Sequence, residues 1–289
     1  MDRECVSLMP QVCDVLADSA TSLPDDTSLE KLLDWIKELT KTGGSLLESC
    51  PCLLEFISTV VCNSALDPGV LSFTLKLTGL VAASDNGFKM LQECSVLDLV
   101  FNLHHWKDTG LWEDPSIRTG WIQGLRSMLQ HLKALSFFVQ SGLIEPLLQL
   151  QTDTSLFVVS AANQLLAHIL LFFQPPFSAG CNDIGKKDED EESIPASSTV
   201  VTLETGAEYT AVVIAISNYL KESLVPIGNA QQRQSLQLLK LLALLLDQAG
   251  PLLRDTLLQT VADSLEELVK LDHSQLTLPL MNVILAAHR

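Results

Sequence analysis

Apolar residues recur along most of this chain at steps of three and four, with no sustained strand-like alternation between the runs, and that spacing predicts helix after helix. Over residues 4–16, Val6, Met9, Cys13 and Leu16 fall on one stripe, which Pro10 permits if the helix is short or kinked there. Leu29, Leu32, Leu33 and Ile36 form the next, opened by Thr27 and Glu30 in a capping-box pattern, where the hydroxyl satisfies a first-turn amide and the carboxylate reaches back. Ser45 and Glu48 repeat the pattern before a helix that Pro51 should break or bend. It resumes through Leu53, Phe56, Ile57 and Val60. The clearest starts are Asp67-Pro68 and Asp114-Pro115, each placing an acceptor at the cap and a residue without an amide hydrogen just inside.

The runs also repeat one another. Leu91, Val96, Leu97, Val100, Phe101 and Leu103 are answered by Phe138, Leu143, Ile144, Leu147, Leu148 and Leu150, an offset of 47. Leu47, Leu53, Phe56 and Ile57 precede Leu91, Leu97, Val100 and Phe101 by 44. Such periods are those of HEAT and armadillo arrays. The last copy, a short helix ending at Ser141-Gly142, a second through Pro146 and a third through Ala162, Leu166 and Ile169, is the most armadillo-like, with glycine where one helix turns sharply into the next. The predicted fold class is therefore all-α, an armadillo/HEAT-type helical-repeat solenoid, with amino-terminal repeats over residues 1–173. From 174 to 205 the pattern lapses into Pro175-Pro176, glycines, the acidic run through Asp188 and Glu192, and SIPASS, a composition that predicts a disordered loop. Helices resume at Tyr209–Leu224, Gln231–Gln248, Leu252–Leu271 and Leu276–Ala287, so residues 206–289 read as continuing repeats. The final helix carries no polar cap, which predicts an array truncated or uncapped at its carboxy end, with a short chain that dimerises through this end as the alternative.

Charge narrows the classes of partner. Eighteen basic against 35 acidic residues give a formal net charge of -17, which repels nucleic-acid phosphate at long range; no direct nucleic-acid binding is expected. The start, MDREC, lacks the basic and apolar regions of a signal peptide. The seven cysteines are accordingly expected in a reducing compartment, without structural disulfides. The apolar stretch Leu156–Phe173 is interrupted by Ser160, Asn163, Gln164 and His168 and stopped by Pro175-Pro176; a buried helix, not a membrane span, is expected.

Candidate chemistry is sparse. Cys50-Pro51-Cys52, Cys62 and His104-His105 could be drawn as a metal site, but the spacing is not that of paired zinc-ligand elements. Buried small apolar roles fit the cysteines better, and His104-His105 beside Trp106 fit a helix end. No phosphate-binding glycine loop, nucleophile elbow or HExxH motif occurs. The chain is read as non-enzymatic, with no catalytic, cofactor-binding or metal residues. Gly120 and Gly124, four apart, predict a close helix approach. In armadillo repeats the third helix lines a concave groove. Aligning the Leu125 helix with the Leu166 helix places Ser127 and His168 at its middle, with Gln123 and Gln164 one turn earlier. These four are the candidate partner groove; the plainer reading makes them ordinary exposed polar residues.

MDREC, DDTSLEKLLDW (Asp25–Trp35), GVLSF (Gly69–Phe73), RTGWIQGLRS (Arg118–Ser127), and SLF followed by QLL and His168 together resemble the amino-terminal part of the family of ATM-kinase activators that associate with the breast-cancer type-one susceptibility protein. The resemblance is dense to about Leu170. It implies a non-enzymatic HEAT-repeat scaffold of nucleus and cytoplasm, with the ATM kinase, that susceptibility protein and the Integrator endonuclease subunits as partners. Roles in DNA-damage signalling, cell growth, apoptosis and mitochondrial homeostasis come with it. Family members are longer, and their extreme carboxy-terminal tail is the segment expected to engage the endonuclease. The alternative is an armadillo-type adaptor for extended peptides with no DNA-damage role, which would need a ladder of groove asparagines and tryptophans where this chain has Ser127 and His168.

Overall fold

The computed structural model describes residues 3–18, 25–41, 45–63, 65, 67–175, 197–228, 231–271 and 273–288, with the backbone alone described at 3–5, 26 and 197–205. Among these residues all regular structure is helical: sixteen α-helices and two short 3-10 turns. The fold class is the all-α helical repeat that the periodicity predicts. Two compact units are present. The first holds residues 1–138 and 145–165, the second residues 139–144 and 166–289.

In the first unit, α1 (Arg3–Ala17) and α2 (Asp26–Lys41) precede three successive three-helix repeats. The first repeat is α3 (Leu46–Ser49), α4 (Cys52–Val61) and α5 (Pro68–Ala82). The second is α6 (Asp85–Glu93), α7 (Val96–Val100) and α9 (Pro115–Met128), with α8 (Leu103–Asp108) and a 3-10 turn at Leu111–Glu113 inserted before its long helix. The third is α10 (Leu132–Gln140), α11 (Ile144–Gln149) and α12 (Leu156–Phe172). The boundary between the two units cuts this third repeat, with residues 139–144 and the part of α12 from Leu166 on assigned to the second unit. Gly142 takes a positive φ of 66° at the α10–α11 break, and Ser95, its counterpart 47 residues earlier, takes 56°.

The long third helices run side by side, and α5 and α9 touch backbone to backbone. Ser72 Oγ donates to the Ser116 carbonyl at 2.8 Å. A Cβ on Gly79 would stand 2.0 Å from the Gly124 oxygen, and one on Gly124 would stand 2.4 Å from that of Leu75. Equivalent depths therefore face one another along parallel axes, an approach only small residues allow. Trp106 and Trp121 are fully buried, and each indole satisfies its one donor on a carbonyl, of Val100 at 2.8 Å and of Phe101 at 3.3 Å. The α9–α12 neighbours are bridged by side chains instead. Arg118 is buried against Asp153, with Nη2 donating to Oδ1 at 3.2 Å and Nη1 to the Trp112 carbonyl at 2.6 Å, while Nε stands 2.7 Å from Oδ2.

The second unit adds α13 (Ser197–Ser223), α14 (Gln232–Gln248), α15 (Pro251–Leu271) and α16 (Ser274–Ala287). Here the repeat has two helices. Ser264 Oγ on α15 reaches the Lys221 carbonyl on α13, 43 residues earlier, and Gln232 on α14 meets His273 at the cap of α16, 41 residues later. The chain thus passes from armadillo-like triplets to HEAT-like pairs.

Two expectations need correction. The cap of α2 is Asp25, whose carboxylate accepts from the Ser28 amide at 2.9 Å and hydroxyl at 2.8 Å; Thr27 lies inside the first turn, and Glu30 pairs with Lys76 on α5 instead of reaching back. Ser45 sits at the α3 cap position but makes no side-chain capping bond, and Glu48 is taken by Asn86. α13 begins at Ser197, inside the stretch 174–205 expected as a loop, and residues 176–196 lie outside the described residues. The physical reason is that no proline or glycine stands between Ser197 and Gly206, and Val200, Val201 and Leu203 space as a helix. The acidic run itself, 186–192, lies outside the described residues.

Candidate functional site

The third helices of the first unit enclose a cavity of about 420 Å³ on their shared side. Its floor is aliphatic, from Leu33 on α2, Leu80 on α5 and Ile122 on α9, and its rim is polar. Gln123, Arg126 and Ser127 on α9 and Gln130 just beyond it face the opening at i, i+3, i+4 and i+7, one stripe of a helix. Glu30 and Lys37 come from α2, Lys76 from α5, and Ala161 and Gln164 from α12.

Of the four groove residues named from the sequence, the structure gathers Gln123, Ser127 and Gln164 around this cavity. His168 does not line it. That residue lies on the part of α12 that belongs to the second unit, with its ring stacked on Phe172 at a centroid distance of 5.0 Å. Sequence reasoning passed over Arg126, Lys76 and Lys37. The signal for Lys76 was present, because the 47-residue offset between Pro68 and Pro115 carries Lys76 onto Gln123.

The rim is ordered by its own polar contacts. Arg126 Nη1 donates to Gln164 Oε1 at 2.8 Å, reaching from α9 to α12. Lys76 is paired with Glu30 across α5 and α2. Lys37 is held by Asp34, one turn back on its own helix, at 3.1 Å. Three cations and one carboxylate thus border an opening on a protein whose net charge is -17.

Cys50, Cys52 and His105, candidates for a metal site in the sequence, pack against protein groups. Among the described residues no group of three or more His, Cys, Asp or Glu is arranged to hold a metal ion. Cys50 and Cys52 instead meet Cys13 of α1, which shares a side-chain hydrogen bond with Cys52; burial, then Cys52, pushes the Cys13 thiol up to about 12. A thiol so placed is a poor nucleophile at neutral pH. Cys62 is exposed at the end of α4. His105 contacts the Val61 carbonyl at 3.0 Å and packs edge-on against Trp106. No described helix is long and apolar enough to cross a membrane.

A concave polar rim carried by successive third helices is the surface with which such repeats engage other proteins. The sequence model of one family, described as Integrator complex assembly factor BRAT1, matches residues 1–289. The chain belongs to the BRAT1 family. The match therefore extends past Leu170 to include the HEAT-like pairs. An Integrator complex assembly factor BRAT1 of Danio rerio is 46% identical over 290 residues, covering 99% of this chain and 33% of the relative. Those of Ailuropoda melanoleuca and Mus musculus are each 46% identical over 172 residues, 59% of this chain and 21% of the relative. The chain thus spans about a third of the length of the zebrafish BRAT1 relative.

Proposed function

We propose that this BRAT1-family chain is a non-catalytic platform for protein partners in the assembly of the Integrator complex, docking through the concave face of α2, α5, α9 and α12. The observation that carries the reading is the cavity rim of Gln123, Arg126, Ser127 and Gln164, spread over successive repeats in the way an extended partner is followed. The relatives' name, assembly factor, supports a binding role. By the family resemblance the platform's partners are the Integrator endonuclease subunits, the ATM kinase and the breast-cancer type-one susceptibility protein, in nucleus and cytoplasm. DNA-damage signalling, cell growth, apoptosis and mitochondrial homeostasis are the processes it then serves.

A pull-down from nuclear extract with this chain as bait, read by mass spectrometry, tests the reading. Retention of Integrator subunits is expected, reduced when Gln123, Ser127 and Gln164 are all replaced by alanine. Recovery of nothing above background would overturn it. One observation favours a second reading, a general adaptor for extended peptides: Gln123 and Gln164 both border the cavity from neighbouring third helices, and a side-chain amide can both donate to and accept from a peptide backbone. Retention of many unrelated proteins and no Integrator subunit would select that version.

A further inference from the structure

We propose that the cavity of the first unit captures an extended segment of a partner rich in Asp and Glu, with Arg126 as its anchor. The inference rests on the docking reading above and adds the chemistry of the ligand.

Charge points to it first. Over the whole chain carboxylates outnumber cations, 35 to 18, yet the ionisable residues bordering this cavity are Lys37, Lys76, Arg126 and Glu30. Lys37 and Lys76 have carboxylate partners in Asp34 and Glu30. Arg126 differs, because its side-chain bond is to the neutral Gln164 amide oxygen, and no ion pair to it occurs among the described residues. The guanidinium keeps its whole charge while one of its five N–H donors fixes its direction. A planar fork oriented in this way suits a carboxylate taken through two parallel bonds.

The neighbours fit a peptide rather than a lone anion. Gln123 lies one turn before Arg126 and Gln164 lies across from it, so amides flank the cation on both sides of an aliphatic floor. A carboxylate on Arg126 would leave the adjoining backbone within reach of those amides. The surrounding protein is acidic and repels such a ligand at long range, but this repulsion is screened beyond roughly 8 Å at physiological salt while direct contacts persist. The seat would therefore select for short-range fit.

The test is fluorescence anisotropy with a labelled dodecapeptide in which Glu alternates with Thr, its Gln-for-Glu twin, and an oligothymidylate of matched charge, all at physiological salt. The Glu peptide should bind this chain, with its twin weaker by about tenfold or more, a difference of about 1.4 kcal/mol. Arg126→Glu should weaken the Glu peptide by a similar factor, and Arg126→Gln by less. Lys89→Glu, on the exposed face of α6 and away from the cavity, should leave it unchanged. Circular dichroism of each variant shows that the helices are intact. Equal binding of the twin, no binding of the Glu peptide, no effect of Arg126→Glu, or equal or tighter binding of the oligonucleotide would overturn the inference. The same variants in the nuclear-extract pull-down separate the two claims. If the chain retains Integrator subunits and Arg126→Glu retains them equally, the docking platform stands and the acidic ligand falls; if the unaltered chain retains nothing, the platform itself falls.

Discussion

Gly124 shows how one missing methyl group sets the geometry on which the groove depends. Its Cα lets α9 settle on α5, and an added Cβ would stand 2.4 Å from the Leu75 carbonyl oxygen and 3.3 Å from the Phe101 ring. Neither a backbone oxygen nor a fully buried ring can step aside cheaply, so Gly124→Ala must push the two helices apart. Overpacking of this kind costs about 1–3 kcal/mol, and the urea midpoint should fall accordingly. Gly206 on α13 supplies the contrast: nothing lies within 4 Å of its added Cβ, and alanine there should gain about 0.5–1 kcal/mol of helix propensity. If the two substitutions shift the midpoint alike, the backbone contact is not what holds α5 and α9. Gly120 and Gly124 were legible as a small-residue pair at helical spacing. Gly79, Ser72 and Leu75, which meet them from α5, were not, because no pattern along one helix tells which residues of another it will touch.

The caps decide where each element begins, and they separate two residues that look alike in sequence. Asp25 and Thr27 both precede the apolar face of α2, and Thr27 with Glu30 has the spacing of a capping box. Asp25 makes the bonds, because Glu30 is drawn away to Lys76 on the neighbouring third helix and the box loses its reciprocal half. Asp25→Ala should therefore lower the urea midpoint, and Thr27→Ala should leave it nearly unchanged. The Asp25 carboxyl lies below its usual range, owing to the Ser28 hydroxyl and then its amide. A depressed folded value means that the cap contributes above the ordinary carboxylate range near pH ~4 and is lost as pH falls through the lowered value. Asp25→Asn, which caps without titrating, should flatten part of the acid loss of stability, measured as urea midpoint between pH ~5 and ~2. An unchanged acid slope would place the proton uptake elsewhere. Asp67-Pro68 and Asp114-Pro115 were read correctly because each cap is complete within three residues, Gly69 and Ser116 amides donating at 2.7 and 2.8 Å. Ser45 and Thr27 misled because tertiary partners, Asn86 for Glu48 and Lys76 for Glu30, outbid the local bond.

At the scale of the molecule the repeat period carried most of what could be read. It gives the third helices, and by offset it places Gln123 and Gln164 on one rim and should have placed Lys76 beside them. Arg126 escaped because its counterpart at that offset is Gly79, so the charge at the centre of the rim has no echo in the previous repeat. The same charges lead to a last prediction about stability. With a formal net charge of -17 the chain repels itself, and self-repulsion weakens a compact state. The opposing ion pairs, Lys41–Glu38, Lys89–Glu93, Lys133–Asp85 and Lys270–Glu266, join side chains that are more than half exposed, where such pairs contribute about 0–1 kcal/mol and salt screens them too. The buried Arg118–Asp153 pair is shielded and should not respond. Repulsion is summed over the whole surface while the attractive pairs are few and weak, so the net effect of screening is stabilising. The urea midpoint should rise between ~20 mM and ~300 mM sodium chloride, as the Debye length contracts from about 20 Å to about 6 Å. A falling midpoint would show instead that the surface pairs outweigh the repulsion.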